Sequence, residues 1–301
     1  MRDLSRDRKW LALNTVTVKS WSLEQAIDGC ARAGITAIAP WRDIVQRCGI
    51  ERAAKLLRAS GLTVTCLCRG GMFTAADEAG RRAAIDDNRR AIDEAAAIGA
   101  GSLILVVGGL PPGSKDLVGA HRQVRDGIAA VLPHARAAAV PLAIEPLHPM
   151  TAADRACVNT LAHANDLCEE LGEGVGVAID AYHVWWDPDL PRQVARSAGR
   201  ILSYHVCDWL VPTRDLVLDR GLRRHRQIPD AQLDPALPKP AGDAVDRDRV
   251  ASNRGSRERR QDSHAGGHGC DEPTLGPRGK AMRAGSPRAK TDLPRRGRVL
   301  R

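Results

Sequence analysis

Three apolar runs in the second half of the chain each end in side chains able to bind a metal or move a proton. Leu142–Ile144 leads into Glu145, Gly174–Ile179 into Asp180 with His183 three residues further on, and Ile201–Tyr204 into His205 with Asp208 three residues further on. A single polar residue in such a place can simply cap its strand or meet water at a rim. Here a carboxylate, a second carboxylate and an imidazole follow one another, and on neighbouring strands of one sheet they would converge. That set of oxygen and nitrogen donors suits a divalent ion such as Mn, Mg, Co or Zn.

The elements that must position these residues are legible as a repeat. Strands are expected at Leu11–Val18, Ile35–Ala39, Leu62–Cys68, Ser102–Val107, Pro141–Glu145, Gly174–Asp180 and Arg200–Val206. Helical segments separate them. Ser22 with Gln25 forms a capping-box pattern and Gly34 a C-terminal cap, and longer helices are expected near Ala76–Ile98, Asp116–Ala139 and Asn159–Leu171, with a short one after Pro188. Such alternation implies parallel βαβ units with strands buried on both faces. No G-x-G-x-x-G follows the first strand, which weakens a dinucleotide-binding sheet. Seven such units instead fit an incomplete (β/α)8 TIM barrel that stops before its eighth strand, with the active site at the carboxyl ends of the strands. Asn14, Trp41 and Arg69 would then line the mouth or be ordinary rim, His148 would belong to the site or to a surface loop, and Trp185 and Trp186 would be lid residues or plain packing.

Composition divides the chain at Gly221. Residues 222–301 contain 19 Lys and Arg against 10 Asp and Glu, so this segment carries the entire net charge of +9 and residues 1–221 are balanced. The basicity therefore says nothing about the partners of the α/β part and removes the composition argument for nucleic acid. All Trp, Tyr and Phe residues lie between Trp10 and Trp209, and only ten of the last 80 residues are Leu, Ile or Val, so 222–301 is expected to be a disordered basic tail. The eight cysteines form no C-x-x-C pair, which argues for a reducing, cytoplasmic setting, and no apolar stretch approaches the ~20 residues that cross a bilayer. Cys66 and Cys68 share one face of the third strand and read as buried, inert thiols.

The residues that carry the chemistry also carry a resemblance. I-E-P at Ile144–Pro146, D-x-x-H at Asp180–His183 and H-x-x-D at His205–Asp208, with this strand spacing, resemble the xylose isomerase-like barrels described as sugar phosphate isomerases and epimerases. The resemblance covers about residues 10–221. It implies that Glu145, Asp180 and His205 are metal ligands, that His183 contacts a substrate hydroxyl or supports one of those ligands, and that Arg214 contacts an anionic or hydroxyl group. It also implies a small sugar or polyol substrate and proton transfer through an enediolate, with Glu145 as one of two carboxylates that remove and return the proton. Related chemistries on such a barrel are an inosose dehydratase-like lyase and an apurinic endonuclease-like phosphodiesterase. A non-catalytic protein with a nucleic-acid-binding tail is the third class.

The family's fourth ligand is a Glu on the eighth strand, and no apolar run ending in Glu follows Gly221. The two glutamates there, Glu258 and Glu272, sit in R-E-R-R and C-D-E-P. With the change in composition, this leads to the expectation that 222–301 is an out-of-frame reading of the last barrel unit, and that activity of the chain is impaired. The nucleotide sequence tests it: another frame downstream of codon 221 should encode an apolar strand ending in Glu within about 40 codons, roughly one βα unit. Stop codons in both alternative frames would refute it.

Overall fold

The computed structural model describes residues 8–213, 215, 220 and 221, and all of 222–301 lies outside the described residues. The parallel strands run β1 (Ala12–Asn14), β2 (Ala37–Ala39), β3 (Thr63–Val64), β4 (Leu67–Gly71), β5 (Leu103–Val106), β6 (Leu142–Ile144), β7 (Val175–Asp180) and β8 (Ile201–His205). Each pairs with its neighbour in chain order within the sets β1-β2-β3 and β4-β5-β6-β7-β8. A parallel bridge between Trp41 and Cys68 joins the two sets. Because β3 and β4 are successive pieces of one extended segment, the described residues form seven staves. That is the seven-unit (β/α)n series read from the sequence.

Helices α1 (Leu23–Ala33), α2 (Arg42–Cys48), α3 (Ile50–Ser60), α4 (Glu78–Ile98), α5 (Leu117–Ala137) and α6 (Leu161–Leu171) connect the staves, followed by the short α7 (Ala181–Val184) and α8 (Leu190–Arg196). Local chemistry sets their ends. Ser22 and Gln25 form the reciprocal capping box expected of them, Asp77, Asp116 and Thr160 cap α4, α5 and α6, and Gly34 closes α1 in the left-handed region. Among the described residues no helix is long and apolar enough to cross a membrane.

Three segments differ from the sequence reading. The first strand ends at Asn14 rather than Val18, because the Asn14 side chain accepts the Val16 N–H and turns Thr15–Val18 into a 3₁₀ turn. The third stave is broken after Val64 and extends through Arg69 to Gly71, with a register shift between Cys68 and Gly70. Beyond β8, β9 (Asp208–Trp209) pairs antiparallel with β10 (Arg220–Gly221), a short ribbon with no apolar alternation to announce it.

Alternation along the staves divides the buried residues into two groups. Leu103, Leu105, Leu142, Ile144, Val177 and Ile179 pack in the large cluster between strands and helices, whereas Ala39, Cys66, Cys68, Ile104, Ala143 and Ala178 form a separate inner cluster with Trp41 and Leu202. The inner layer is made mainly of small side chains.

The end of β4 is fastened from outside. Asn88, fully buried on α4, accepts the Gly71 N–H at 2.6 Å and donates to the Gly71 carbonyl at 2.7 Å and the Ala84 carbonyl at 2.8 Å. Asn88→Ala would leave buried backbone groups of Gly71 without partners, at about 1–3 kcal/mol each. Urea unfolding of this variant should show a loss of that order, and hydrogen exchange should show earlier opening of β4.

Candidate metal centre

Stave parity decides where the three predicted ligands point. Ile144, Ile179 and Tyr204 pack with the outer, helix-facing layer, so the next residue on each stave, Glu145, Asp180 and His205, turns inward at the carboxyl end. Asp180 and His205 are direct register partners across β7 and β8, and the Glu145 N–H donates to the Leu105 carbonyl, continuing the ladder at the end of β6. All three side chains are buried, at 8%, 3% and 6% exposure, and one donor atom from each lies within 4.8 Å of the others. Two carboxylate oxygens and an imidazole nitrogen fit a divalent ion, and three protein ligands leave coordination positions open for a substrate or a further ligand.

The two histidines at this mouth are held in opposite states. His205 Nδ1 lies 3.0 Å from Glu145 Oε1 and Nε2 lies 3.0 Å from Ser203 Oγ. Burial works against a charge on this ring, yet hydrogen bonds to Cys66 and Glu145 outweigh it and hold its pKa well above the usual value. His183, which the sequence placed beside the site, faces donors instead. The His148 N–H points at Nδ1 from 3.2 Å and Arg220 Nη2 at Nε2 from 3.0 Å. A neutral imidazole has one lone pair, so only one of these contacts can be a hydrogen bond at a time. Burial, aided by the Arg220 charge and opposed by Asp180, lowers the His183 pKa to about 4.

Arg220 is the functional candidate that the sequence reading missed. Its guanidinium donates to Asp180 Oδ2 at 2.7 Å and to Cys207 Sγ at 3.6 Å, and lies 4.2 Å from the centre of the Tyr182 ring. Tyr182 stacks on Trp209 at 4.6 Å, and His148 lies 4.9 Å from Trp209. The D-R-G context carried no signal, since Arg220 reaches the site only through the β9–β10 ribbon. Arg214 lies outside the described residues. So does any residue that could stand for an eighth-strand Glu.

Next to the metal group is a cavity of about 720 Å³ lined by Thr15, Trp41, Cys68, Arg69 and Gly71 among others. None of the three candidate ligands lines it. Trp41 forms part of its wall and is fixed there by Nε1 donating to Asn14 Oδ1 at 2.8 Å, so of the three strand-end residues Trp41 and Arg69 line the cavity and Asn14 supports Trp41.

The sequence matches the model of the xylose isomerase-like TIM barrel family over residues 27–235, more than two thirds of its length. The chain belongs to that family. Among solved structures, protein SMc04130 from Sinorhizobium meliloti 1021 is 52% identical with a TM-score of 0.72, the match covering 83% of this chain and 97% of that one. The IOLI protein with a bound zinc atom matches at 16% identity and TM-score 0.65 over 79% of this chain and 88% of its own. The 3-keto-D-glucoside 4-epimerase YcjR from E. coli matches at 18% identity and TM-score 0.61 over 82% and 99%. At such identities the last two establish the fold alone. No functionally curated protein matches the sequence significantly.

In this xylose isomerase-like barrel the buried neutral ring of His183 has a consequence for stability. Its folded-state pKa of about 4 lies below the ordinary 6.5, so the unfolded chain binds the extra proton first as pH falls. The stabilising contribution is complete above pH 6.5 and is lost as pH drops towards 4. His183→Gln, which cannot titrate, should lose less stability than the parent between these two pH values when both are unfolded in urea. Equal losses would show that this ring is not held neutral.

Proposed function

We propose that this protein is a divalent-metal-dependent isomerase or epimerase of a sugar, sugar phosphate or related polyol. The observation that carries the proposal is the inward convergence of Glu145, Asp180 and His205 from three successive staves onto one buried point. Membership of a family whose solved relatives include a zinc-containing protein and a keto-glucoside epimerase supports it. An ion at this point would polarise a substrate carbonyl and stabilise the negative charge that develops when the neighbouring C–H is deprotonated.

The protein's own residues supply the rest. Glu145, buried beside His205, is the group we assign to take the proton from carbon. Asp180 fixes the second oxygen donor, its Oδ1 accepting the Tyr182 N–H at 2.9 Å, which orients the carboxylate. His183, kept neutral, presents a ring nitrogen to a substrate hydroxyl, and Arg214 remains the proposed contact for an anionic or hydroxyl group. Trp41 offers an apolar wall to a sugar face. Returning the proton from the opposite face calls for a second carboxylate, which we read as the eighth-strand Glu displaced by an out-of-frame 222–301. The chain as it stands should therefore bind metal weakly.

In a chain carrying an in-frame eighth strand, metal analysis should find one ion per subunit, reduced in Glu145→Gln, Asp180→Asn and His205→Ala. With Mn, that chain should exchange the proton next to a ketose carbonyl with deuterated water, and Glu145→Gln should slow exchange by about 10²–10⁴-fold, the range of a lost general base. If no ketose, ketose phosphate or inosose takes up deuterium, the isomerase reading fails. Unchanged metal content in all three variants removes the assigned ligands.

A further inference from the structure

A second set of donors meets at His205, from the opposite side of the barrel. Cys66 and Cys68 stand two residues apart on the third stave, so both side chains turn to the same, inward face, and both belong to the inner cluster. One donor atom each from Cys66, Cys68 and His205 lies within 4.8 Å of the others, and all three residues are buried, the thiols at 0% and 4% exposure. The third and seventh staves of a barrel face each other across its interior. The inner cluster that holds both cysteines also contains Ala39, Ala143 and Ala178, whose small side chains occupy little of the interior.

We propose that Cys66, Cys68 and His205 form a second, soft-metal site, taking a thiophilic ion such as Zn²⁺, Cd²⁺ or Cu⁺. Two sulfurs and an imidazole nitrogen are the donors such ions select, whereas the Glu145–Asp180–His205 set favours oxygen-seeking ions. Neither cysteine is in a disulfide. An ion binding there displaces the two thiol protons and the proton on the coordinating His205 nitrogen to solvent and forms two metal–sulfur bonds and one metal–nitrogen bond, with no change of oxidation state. Cys68 also lines the 720 Å³ cavity, which gives the ion a way in from the mouth. The simpler role for one cysteine is to orient His205, since Cys66 hydrogen-bonds that ring. Orientation needs only one partner, and Ser203 also contacts the ring at 3.0 Å. Neither explains the second thiol within ligand distance of both. Because His205 belongs to both sets, a soft ion held by the thiols would compete with the metal of the proposed isomerase site. That competition rests on the proposed function, while the sulfur site itself does not.

The full chain, stripped of metal and kept reduced with a phosphine, is titrated with Cd²⁺ while thiolate-to-cadmium charge-transfer absorption is followed in the ultraviolet. X-ray absorption at the cadmium edge then counts sulfur neighbours without any substitution. The expected result is saturation at one Cd²⁺ per chain with two sulfur neighbours. Cys66→Ser and Cys68→Ser should each weaken binding by more than about 100-fold, beyond the loss caused by removing a group that merely orients a ligand. Cys168→Ser, in the helical layer, should bind as the parent does. Glu145→Gln should keep the cadmium–sulfur band, so loss of the hard-metal reading and loss of this one are separable. A folded, reduced protein that gives no thiolate band at saturating Cd²⁺, an all-oxygen and nitrogen shell, or parental affinity in both cysteine variants overturns the proposal.

Discussion

Alternation of side chains along the parallel strands, reset on β8 by a register shift against β7, is the constraint on which the rest of this structure depends. With both faces of the sheet buried, odd and even residues cannot exchange places without sending a polar group into the helical layer or a bulky one into the barrel. Ile144, Ile179 and Tyr204 are committed to the outer layer. The residues that follow them are therefore delivered to one point at the carboxyl end, although Glu145 and His205 are 60 positions apart in the chain. The same parity on the third stave sends Leu67 outward and leaves Cys66 and Cys68 inside.

Electrostatics at the mouth follow from what each group finds there. Acceptors around His205 favour its charged form, while His183, three residues after Asp180, is faced by donors and stays neutral, with a single ring proton. Asp180 is the pivot of this arrangement. Its two oxygens are engaged separately, one by the backbone of Tyr182 and one by Arg220, and an unpaired carboxylate at this depth would be costly. Arg220 thus neutralises a charge buried at this depth.

The supports of the site are built from ordinary secondary-structure chemistry. The buried Asn88 on α4 fastens the end of β4, Asn14 both starts a 3₁₀ turn and aims Trp41 at the cavity, and the glycines at 70 and 71 let that stave approach its neighbour. A Cβ on Gly70 would meet Asn88 Oδ1 at 2.6 Å, so the backbone there has room only for glycine. These contacts link helix to strand end, and strand end to the wall of the cavity beside the metal group.

Much of this was present in the sequence alone. The apolar runs, their spacing and the capping residues determined a parallel α/β barrel series, because periodicity and helix-end chemistry are local properties. The residue types closing three runs determined the oxygen and nitrogen donor set of Glu145, Asp180 and His205. Other features depended on contacts between distant segments, which no local pattern encodes. Asn14 ends the first strand by a side-chain hydrogen bond, and the third stave breaks and runs on to Gly71 because of how it meets β5 and α4. Arg220 enters the site only because β9 and β10 pair, and Cys66 and Cys68, inert thiols by their strand context, lie within reach of His205 only because the staves curve around a shared inner cluster.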